Sequence, residues 1–338
     1  MVYTKNSPSV ICLTPVKNEA WILHRFLQCT SLWADHIIIA DQQSTDGSRE
    51  IARSYSKVIL VDNLSPTFNE PERQKILLEA ARSIPEPRLL IALDADEILT
   101  ANFVDSPEWN TVLQASIGTV IRFQRANVLP DMYSYWSPAK DFDWGYMDDG
   151  SEHIGKKIHS PRIPTPAQAP TLTLRQIKVL HYQYTSWERM KSKHRWYQCW
   201  ERLNQPSRRA IDIYRQYHHM DDASQNKINP LPREWLSGYE QQGIDMTSIY
   251  CEERFWWDRK ILDLLSKHDP KTFKREAIWD INWSALSQKI NPDDMQVNYH
   301  DPRSCLDKYV HRWLKKTQPI RSRKDVRFIE KILALFGW

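Results

Sequence analysis

The chain has 338 residues, 41% hydrophobic and 26% charged, with a formal net charge of +4. That length allows one large α/β domain with an appendage or two modest domains, and the balance excludes wholesale disorder and a fibrous architecture. So mild a net charge does not by itself mark a nucleic-acid binder. Only 8 glycines stand against 15 tryptophans, which suits a protein with broad aromatic surfaces. The five cysteines, Cys12, Cys29, Cys199, Cys251 and Cys305, are odd in number, widely spread and free of any CxxC pair. They are expected to be reduced, which points to a cytoplasmic protein. The N-terminus MVYTKNSPSV carries no long apolar core, and no window reaches the ~18 apolar residues of a membrane span.

Residues 10–16 (VICLTPV), 36–40 (HIIIA), 57–61 (KVILV) and 89–93 (LLIAL) are short, apolar, β-branched-rich runs that end in polar turns, and they predict buried parallel strands. Helical spacing lies between them: Ile22, Leu23, Phe26 and Leu27 after Asn18, then Ser48 to Tyr55, then Ile76, Leu77 and Ala80 before Pro85. The order β-α-β-α-β-α-β implies an open, mostly parallel sheet flanked by helices, in which ligands sit at the carboxyl ends of the strands. A further strand is expected over 117–123, and 130–175, rich in Pro, Asp and aromatics, is expected to be loop-rich. From Ser186 the pattern is helical and aromatic, with Trp187, Met190, His194, Tyr197 and Trp200 in register and a second run from Phe255 to Leu265. Two regions follow, 1–185 and an α-helical extension over 186–338. The segment 308–338 carries nine Lys or Arg against Asp325 and Glu330, a basic amphipathic end.

The sharpest chemical feature is Asp94-Ala95-Asp96-Glu97 at the exit of the fourth apolar run. In an extended segment Asp94 and Asp96 share one side, where two carboxylates repel unless a cation compensates. A hard divalent ion, Mg²⁺ or Mn²⁺, completed by substrate phosphates is the natural partner. Taken alone, the same tripeptide also reads as a solvated acidic turn capping a helix near Ile98.

Two further segments accompany it: Thr14-Pro15-Val16-Lys17-Asn18-Glu19 after the first strand, and Asp41-Gln42-Gln43-Ser44-Thr45-Asp46-Gly47-Ser48 after the second. Over residues 10 to about 100, this set resembles the nucleotide-sugar-binding half of glycosyltransferase family 2, which has the GT-A fold. The resemblance implies an inverting hexosyl-type transfer from a UDP- or GDP-sugar to a glycan, polysaccharide or glycolipid, dependent on Mn²⁺ or Mg²⁺. It places Thr14, Pro15 and Glu19 around the base and ribose and Asp41 on the nucleoside, with Asp46 capping the next helix ahead of Gly47. It sets Arg73, in Asn69-Glu70-Pro71-Glu72-Arg73-Gln74, toward the diphosphate, Asp94 on the nucleotide and Asp96 on the metal. The segment Lys178-Val179-Leu180-His181-Tyr182-Gln183-Tyr184-Thr185 resembles a family stretch whose histidine completes the metal site, which assigns His181; imidazole suits Mn²⁺ better than Mg²⁺. Gln42 and Gln43 depart from the commoner Asp-Asp-Gly-Ser pattern, which leaves the base preference open.

Inverting transfer needs a carboxylate base. The run 141–153 offers Asp149 first, then Asp148, then Glu152, because His159-Ser160 stands where many relatives have a His-Glu pair. A second reading makes the basic, aromatic C-terminal half a nucleic-acid surface, although its cations alternate with acids until the tail. A nucleotide-sugar pyrophosphorylase would need a Gly-rich loop after the first strand, and none is present. The tail, with Trp313, Leu314, Phe328, Ile329, Ile332, Leu333, Leu335, Phe336 and Trp338 among its cations, reads either as a helix lying on the inner face of the membrane or as a packed terminal helix.

Overall fold

The computed structural model describes residues 7–67, 69–156, 159–218, 228–250, 255–290 and 299–338. In chain order these form β1 (Ser9–Val16), α1 (Ala20–Thr30), β2 (His36–Asp41), α2 (Ser48–Arg53), β3 (Val58–Asp62), α3 (Glu70–Arg82), β4 (Arg88–Ala92), β5 (Glu97–Leu99), α4 (Pro107–Leu113), β6 (Val120–Val128), β7 (Ser134–Trp136), β8 (Phe142–Met147) and β9 (Thr171–His181). There follow α5 (Trp187–Asn204), α6 (Ala210–Tyr217), β10 (Asn229–Pro230), α7 (Ser237–Glu240), α8 (Trp256–Lys267), α9 (Trp283–Ile290), α10 (Cys305–Thr317) and α11 (Lys324–Leu335). Two compact units result: Met1–Thr185 with Asn229–Cys251, and Ser186–Ile228 with Glu252–Trp338. The unbroken helical extension expected over 186–338 is therefore interrupted by a return to the first unit. Hydrogen bonds tie that return down, among them Tyr239 Oη donating to Leu99 O at 2.9 Å, Tyr182 Oη to Met246 O at 3.2 Å and Arg25 Nε to Asp245 O at 2.6 Å.

The first unit is α/β. Its sheet runs β10-β7-β6-β8-β4-β1-β2-β3, with β9 beside β6 and β5 beside β9. The four expected strands make the parallel block β3-β2-β1-β4. Their two-residue alternation explains the layering: Val10, Cys12, Ile37, Ile39, Leu89 and Ile91 join a core with Leu23, Phe26 and Leu27 of α1. The intervening Ile11, Leu13, Ile38, Ala40, Leu90 and Ala92 join Leu77, Leu78 and Ala81 of α3. A run with no polar position is thus what a strand covered on both faces requires, and each buried aliphatic side chain contributes roughly 1.5–3 kcal/mol.

The span 130–175 is less irregular than its composition suggests. It contains β7 and β8, and β8 (FDWGYM) fits antiparallel between β4 and β6. Asp143 and Gly145 read as loop signals, yet Gly145 sits where a Cβ would lie 2.9 Å from Ile121 Cβ. The glycine is what lets the two strands approach. The next strand begins later than the expected 117–123, because Gly118 holds φ +85° and turns the chain before Val120.

The second unit is helical, and its aromatic residues are largely core. Trp196, Trp257, Trp279, Trp283 and Trp338 are buried. Arg189, also buried, lies over the Trp257 ring at 4.7 Å, and the Tyr197 and Tyr217 rings stack at 5.5 Å. The basic tail packs through Val310, Leu314 and Trp338 on Ala210, Ile211 and Tyr214 of α6. Phe328, Leu335 and Phe336 remain exposed. Among the described residues no helix is long and apolar enough to cross a membrane.

His311 of α10 sits inside this packing, its Nε2 donating to Arg275 O at 2.9 Å. Burial, aided by Arg303 and His218 and opposed by the Arg275 carbonyl and Asp307, lowers its pKa from 6.5 to about 4. The unfolded chain therefore binds the imidazole proton more readily than the folded one. The resulting stabilisation is complete above pH 6.5 and is lost as pH falls toward about 4. Melting temperature is expected to drop across that window, and His311→Gln to flatten the drop when both are followed by circular dichroism.

Candidate functional site

The parallel register aligns the polar ends of β1, β2 and β4. Val16 pairs with Asp41, Leu13 with Ala92, and Leu93 N donates to Leu13 O at 3.0 Å. Thr14, Pro15, Asp41 and Asp94 therefore line one sheet edge, with Asp41 and Asp94 two strands, about 10 Å, apart.

Asp41 is 1% exposed; its Oδ2 accepts from Arg49 Nη1 at 2.7 Å and from Ser44 N at 3.1 Å. Its Oδ1 is buried and has no hydrogen-bond partner among the described residues. Arg49 also reaches Asp62 at 2.7 Å, so one guanidinium clamps β2 to β3. Asp46 orders the same loop by accepting from Ser48 N at 3.0 Å and Ala20 N at 2.9 Å, with Gly47 at φ +96° between loop and helix. Glu19 precedes α1 without capping it, and its Oε2 accepts from Trp21 Nε1 at 2.7 Å. Thr14 is wholly buried, and Arg73 lies half-buried in the first turn of α3.

The acidic tripeptide departs from its expected shape. Asp94-Ala95-Asp96 is a turn, closed by Glu97 N donating to Asp94 O at 2.9 Å, and it leads into strand β5 rather than a helix at Ile98. The two aspartates consequently meet different partners. Asp94 is bound to Arg162 Nη2 at 2.6 Å. Arg162 also pairs with Glu97, whose side chain is fully buried, and stacks over Trp144 at 4.9 Å. Burial opposes the charge on Arg162, but Asp94 and Glu97 outweigh it and raise its pKa. Burial likewise raises Glu97 above the ordinary carboxylate value, against the pull of Arg162.

Asp96 lies 3.8 Å from the other expected metal ligand, measured from its Oδ2 to His181 Nε2. Strand pairing produces this contact. Glu97 faces His181 in the β5–β9 ladder, and Tyr182 N donates to Asp96 O at 2.8 Å. On the other side β9 pairs with β6, which puts Asn127 opposite His181, with Nδ1 to Oδ1 at 2.8 Å. Nε2 is therefore the ring nitrogen that faces Asp96, while Nδ1 meets the Asn127 amide. Asp96 Oδ2 is buried without a hydrogen-bond partner among the described residues. Two ligand bonds of about 2.1 Å each would bridge the gap. Among the described residues no three His, Cys, Asp or Glu side chains gather into a metal site. The pair thus fits a hard divalent ion that takes its remaining ligands from phosphate and water.

Asn127→Ala tests this orientation. It is expected to weaken divalent-cation affinity about 10- to 100-fold by freeing the imidazole, with little loss of melting temperature. Titration calorimetry with MnCl₂ is the check, and unchanged affinity would remove Asn127 from the site.

The three carboxylates expected to act as base lie elsewhere. Because β8 runs antiparallel to β4, its end returns to the start of β4, where Asp148 N donates to Arg88 O at 3.0 Å. Asp94 is six residues farther along, about 20 Å at strand rise. Asp148 is buried and held by Arg82 at 2.9 Å and Arg88 at 2.8 Å; burial favours its neutral form, but the two guanidinium groups prevail and lower its pKa. Asp149 accepts from the Tyr146 hydroxyl and from Ser151 N at 2.8 Å. Glu152 follows Ser151, whose carbonyl accepts from Arg82 Nη2 at 2.7 Å near the end of α3. Asp148 and Asp149 belong to the amino edge of the sheet, away from the Asp96–His181 pair, and Glu152 is exposed beyond them.

No protein-family model matches the chain, and no curated protein matches it. Solved structures that match include glucosyl-3-phosphoglycerate synthase from Mycobacterium tuberculosis with phosphoglyceric acid, at TM-score 0.27 and 18% identity, covering 35% of this chain and 44% of that one. The same enzyme with Mn²⁺, uridine diphosphate and phosphoglyceric acid matches at TM-score 0.26 and 18% identity, over 36% and 43%. The chain thus spans less than half the length of either structure.

Sequence reasoning missed Arg162, Arg49 and Asn127. Arg162 and Arg49 carry no local signal, since each acquires its role from a carboxylate on another strand. Asn127 had one indirect cue, its place on a strand downstream of 117–123.

Proposed function

We propose that the chain is a metal-dependent, inverting glycosyltransferase that moves a sugar from a UDP- or GDP-sugar to a glycan, polysaccharide or glycolipid. The observation that carries this reading is the buried Asp96 Oδ2, without a hydrogen-bond partner among the described residues, facing His181 Nε2 at 3.8 Å at the edge where the parallel strands end. Asp96 and His181 would hold Mn²⁺ or Mg²⁺, which when bound stabilises charge on the departing diphosphate. Asp94 and Arg162 flank the nucleotide, and Arg73 turns its guanidinium to phosphate oxygens. Thr14, Pro15 and Glu19 border the base and ribose, and Asp41 Oδ1 accepts a hydrogen bond from the nucleoside. In the transfer an acceptor hydroxyl oxygen bonds to the anomeric carbon, the bond from that carbon to phosphate oxygen breaks, and the hydroxyl proton passes to a base. Asp148 and Asp149, at the other edge of the sheet, are withdrawn from that last role.

A thermal-shift screen of nucleotide sugars with and without Mn²⁺ is the test. Binding at about 100 times Kd adds about 2.7 kcal/mol of stability, so one UDP- or GDP-sugar is expected to raise the melting temperature only when Mn²⁺ is present. The reading fails if none does.

A further inference from the structure

The helical unit holds a cavity with no part in the reading above. About 470 Å³ in volume, it opens among α5, α6, α10, the segment between α8 and α9 that carries Ala277 and Asp280, and Arg303 just ahead of α10. Its charge is one-sided: Lys191, Arg195, Arg303, Lys308, Arg312 and Lys315 line it, with Asp280 as the sole carboxylate of the lining among the described residues. Asp280 is committed to Arg195 at 2.7 Å, Asp301 serves Arg303 at 2.8 Å and Lys308 at 3.5 Å, and Glu188 meets Lys191 at 3.0 Å. Among the described residues six cations thus share three carboxylates, and cations crowded into a concave wall focus a positive potential there.

The wall is built rather than merely bordered. Arg195, His194, Gln198 and His311 are each less than 10% exposed, and each lines the cavity. Tyr214 and His218, stacked at 3.9 Å, add flat ring surface. A space of this size suits a small molecule rather than a polymer or a helix.

We propose that this cavity binds a phosphorylated small molecule, with the phosphate held by the cations of α5 and α10 and the carbon skeleton laid against Tyr214, Tyr217 and His218. Arginine and lysine donors set around one hollow match phosphate oxygens, and the rings match a sugar face or a planar base. The proposal does not depend on the transferase reading.

The test uses titration calorimetry on the full chain in EDTA, with glucose 6-phosphate and inorganic pyrophosphate as probes and glucose as the neutral control. Glucose 6-phosphate is expected to bind and glucose not. Arg312→Glu with Lys315→Glu, both on the exposed side of α10, is expected to weaken binding at least tenfold. Asp96→Ala is expected to leave it unchanged, which separates this cavity from the edge of the sheet. Lys191→Glu, on α5, supplies an independent second variant should the double variant fold poorly. Equal affinity in wild type and all charge-reversed variants would overturn the proposal, as would absence of heat with both phosphorylated probes. Loss of binding to single-stranded RNA in the variants, with glucose 6-phosphate inert, would overturn it in favour of a nucleic-acid surface.

Discussion

Asp96→Ala is expected to lower metal-dependent donor turnover by more than about 100-fold, beyond the cost of losing an outer-shell partner. Manganese affinity is expected to fall with it. Asp96 Oδ2 is buried, lacks a hydrogen bond among the described residues and faces His181 Nε2 at 3.8 Å. Desolvating a carboxylate oxygen without a partner is unfavourable, so an Asp96 kept for the metal leaves the protein as stable or more stable as Ala or Asn, whereas an Asp96 that served the fold would destabilise it on removal. The two roles therefore separate cleanly. Turnover of a UDP- or GDP-sugar with Mn²⁺, measured beside melting temperature, is expected to show activity lost and stability kept or gained. Full turnover in the variant would remove Asp96 from the metal, and the transferase reading with it.

Arg162→Ala is expected to have the larger effect on stability. The guanidinium is the countercharge for Glu97, whose side chain is fully buried, and it also binds Asp94. Removing one partner of such a pair strands the other, at a cost of about 3–5 kcal/mol. Arg162→Lys should recover only part of it, since an ammonium reproduces neither the two-carboxylate fork nor the stacking on Trp144 at 4.9 Å. The pH dependence has a definite sign. Burial already raises Glu97 above the ordinary carboxylate value, and Arg162 pulls it down. Without the arginine the folded state binds that proton still more tightly than the unfolded chain. The defect should therefore shrink as pH falls toward 5 and grow toward 8, in roughly the range where raised carboxylates titrate. Urea unfolding at several pH values measures this. A defect independent of pH would mean that Glu97 is not the group left uncompensated.

Much of the first unit was legible locally. Runs such as HIIIA and LLIAL have no polar alternation, and only a strand covered on both faces tolerates that. The helices between them carried their own stop signals, as at Arg82 before Pro85. Strand β8 was not legible, because FDWGYM owes its extended form to ladders on both sides and Gly145 to the closeness of Ile121.

The same division runs through the candidate site. Thr14, Asp41, Asp94 and Asp96 announce themselves because each ends or follows an apolar run, and parallel strands bring their carboxyl ends to one edge whatever the rest of the chain does. The base candidates show the complementary limit: Asp148 and Asp149 sit in a suggestive acidic run, but the antiparallel direction of β8 carries them to the opposite edge. Sequence by itself determined the α/β class, the parallel block and the polar line along its edge, because these follow from periodicity and short-range turns. Tertiary structure alone decided which of the paired aspartates is tied to Arg162, which faces His181, and that Asn127 sets the imidazole. Those are contacts between residues 54 to 85 positions apart, from Asn127 and His181 at 54 through Arg162 and Asp94 at 68 to Asp96 and His181, and no local pattern encodes the pairing of strands that makes them.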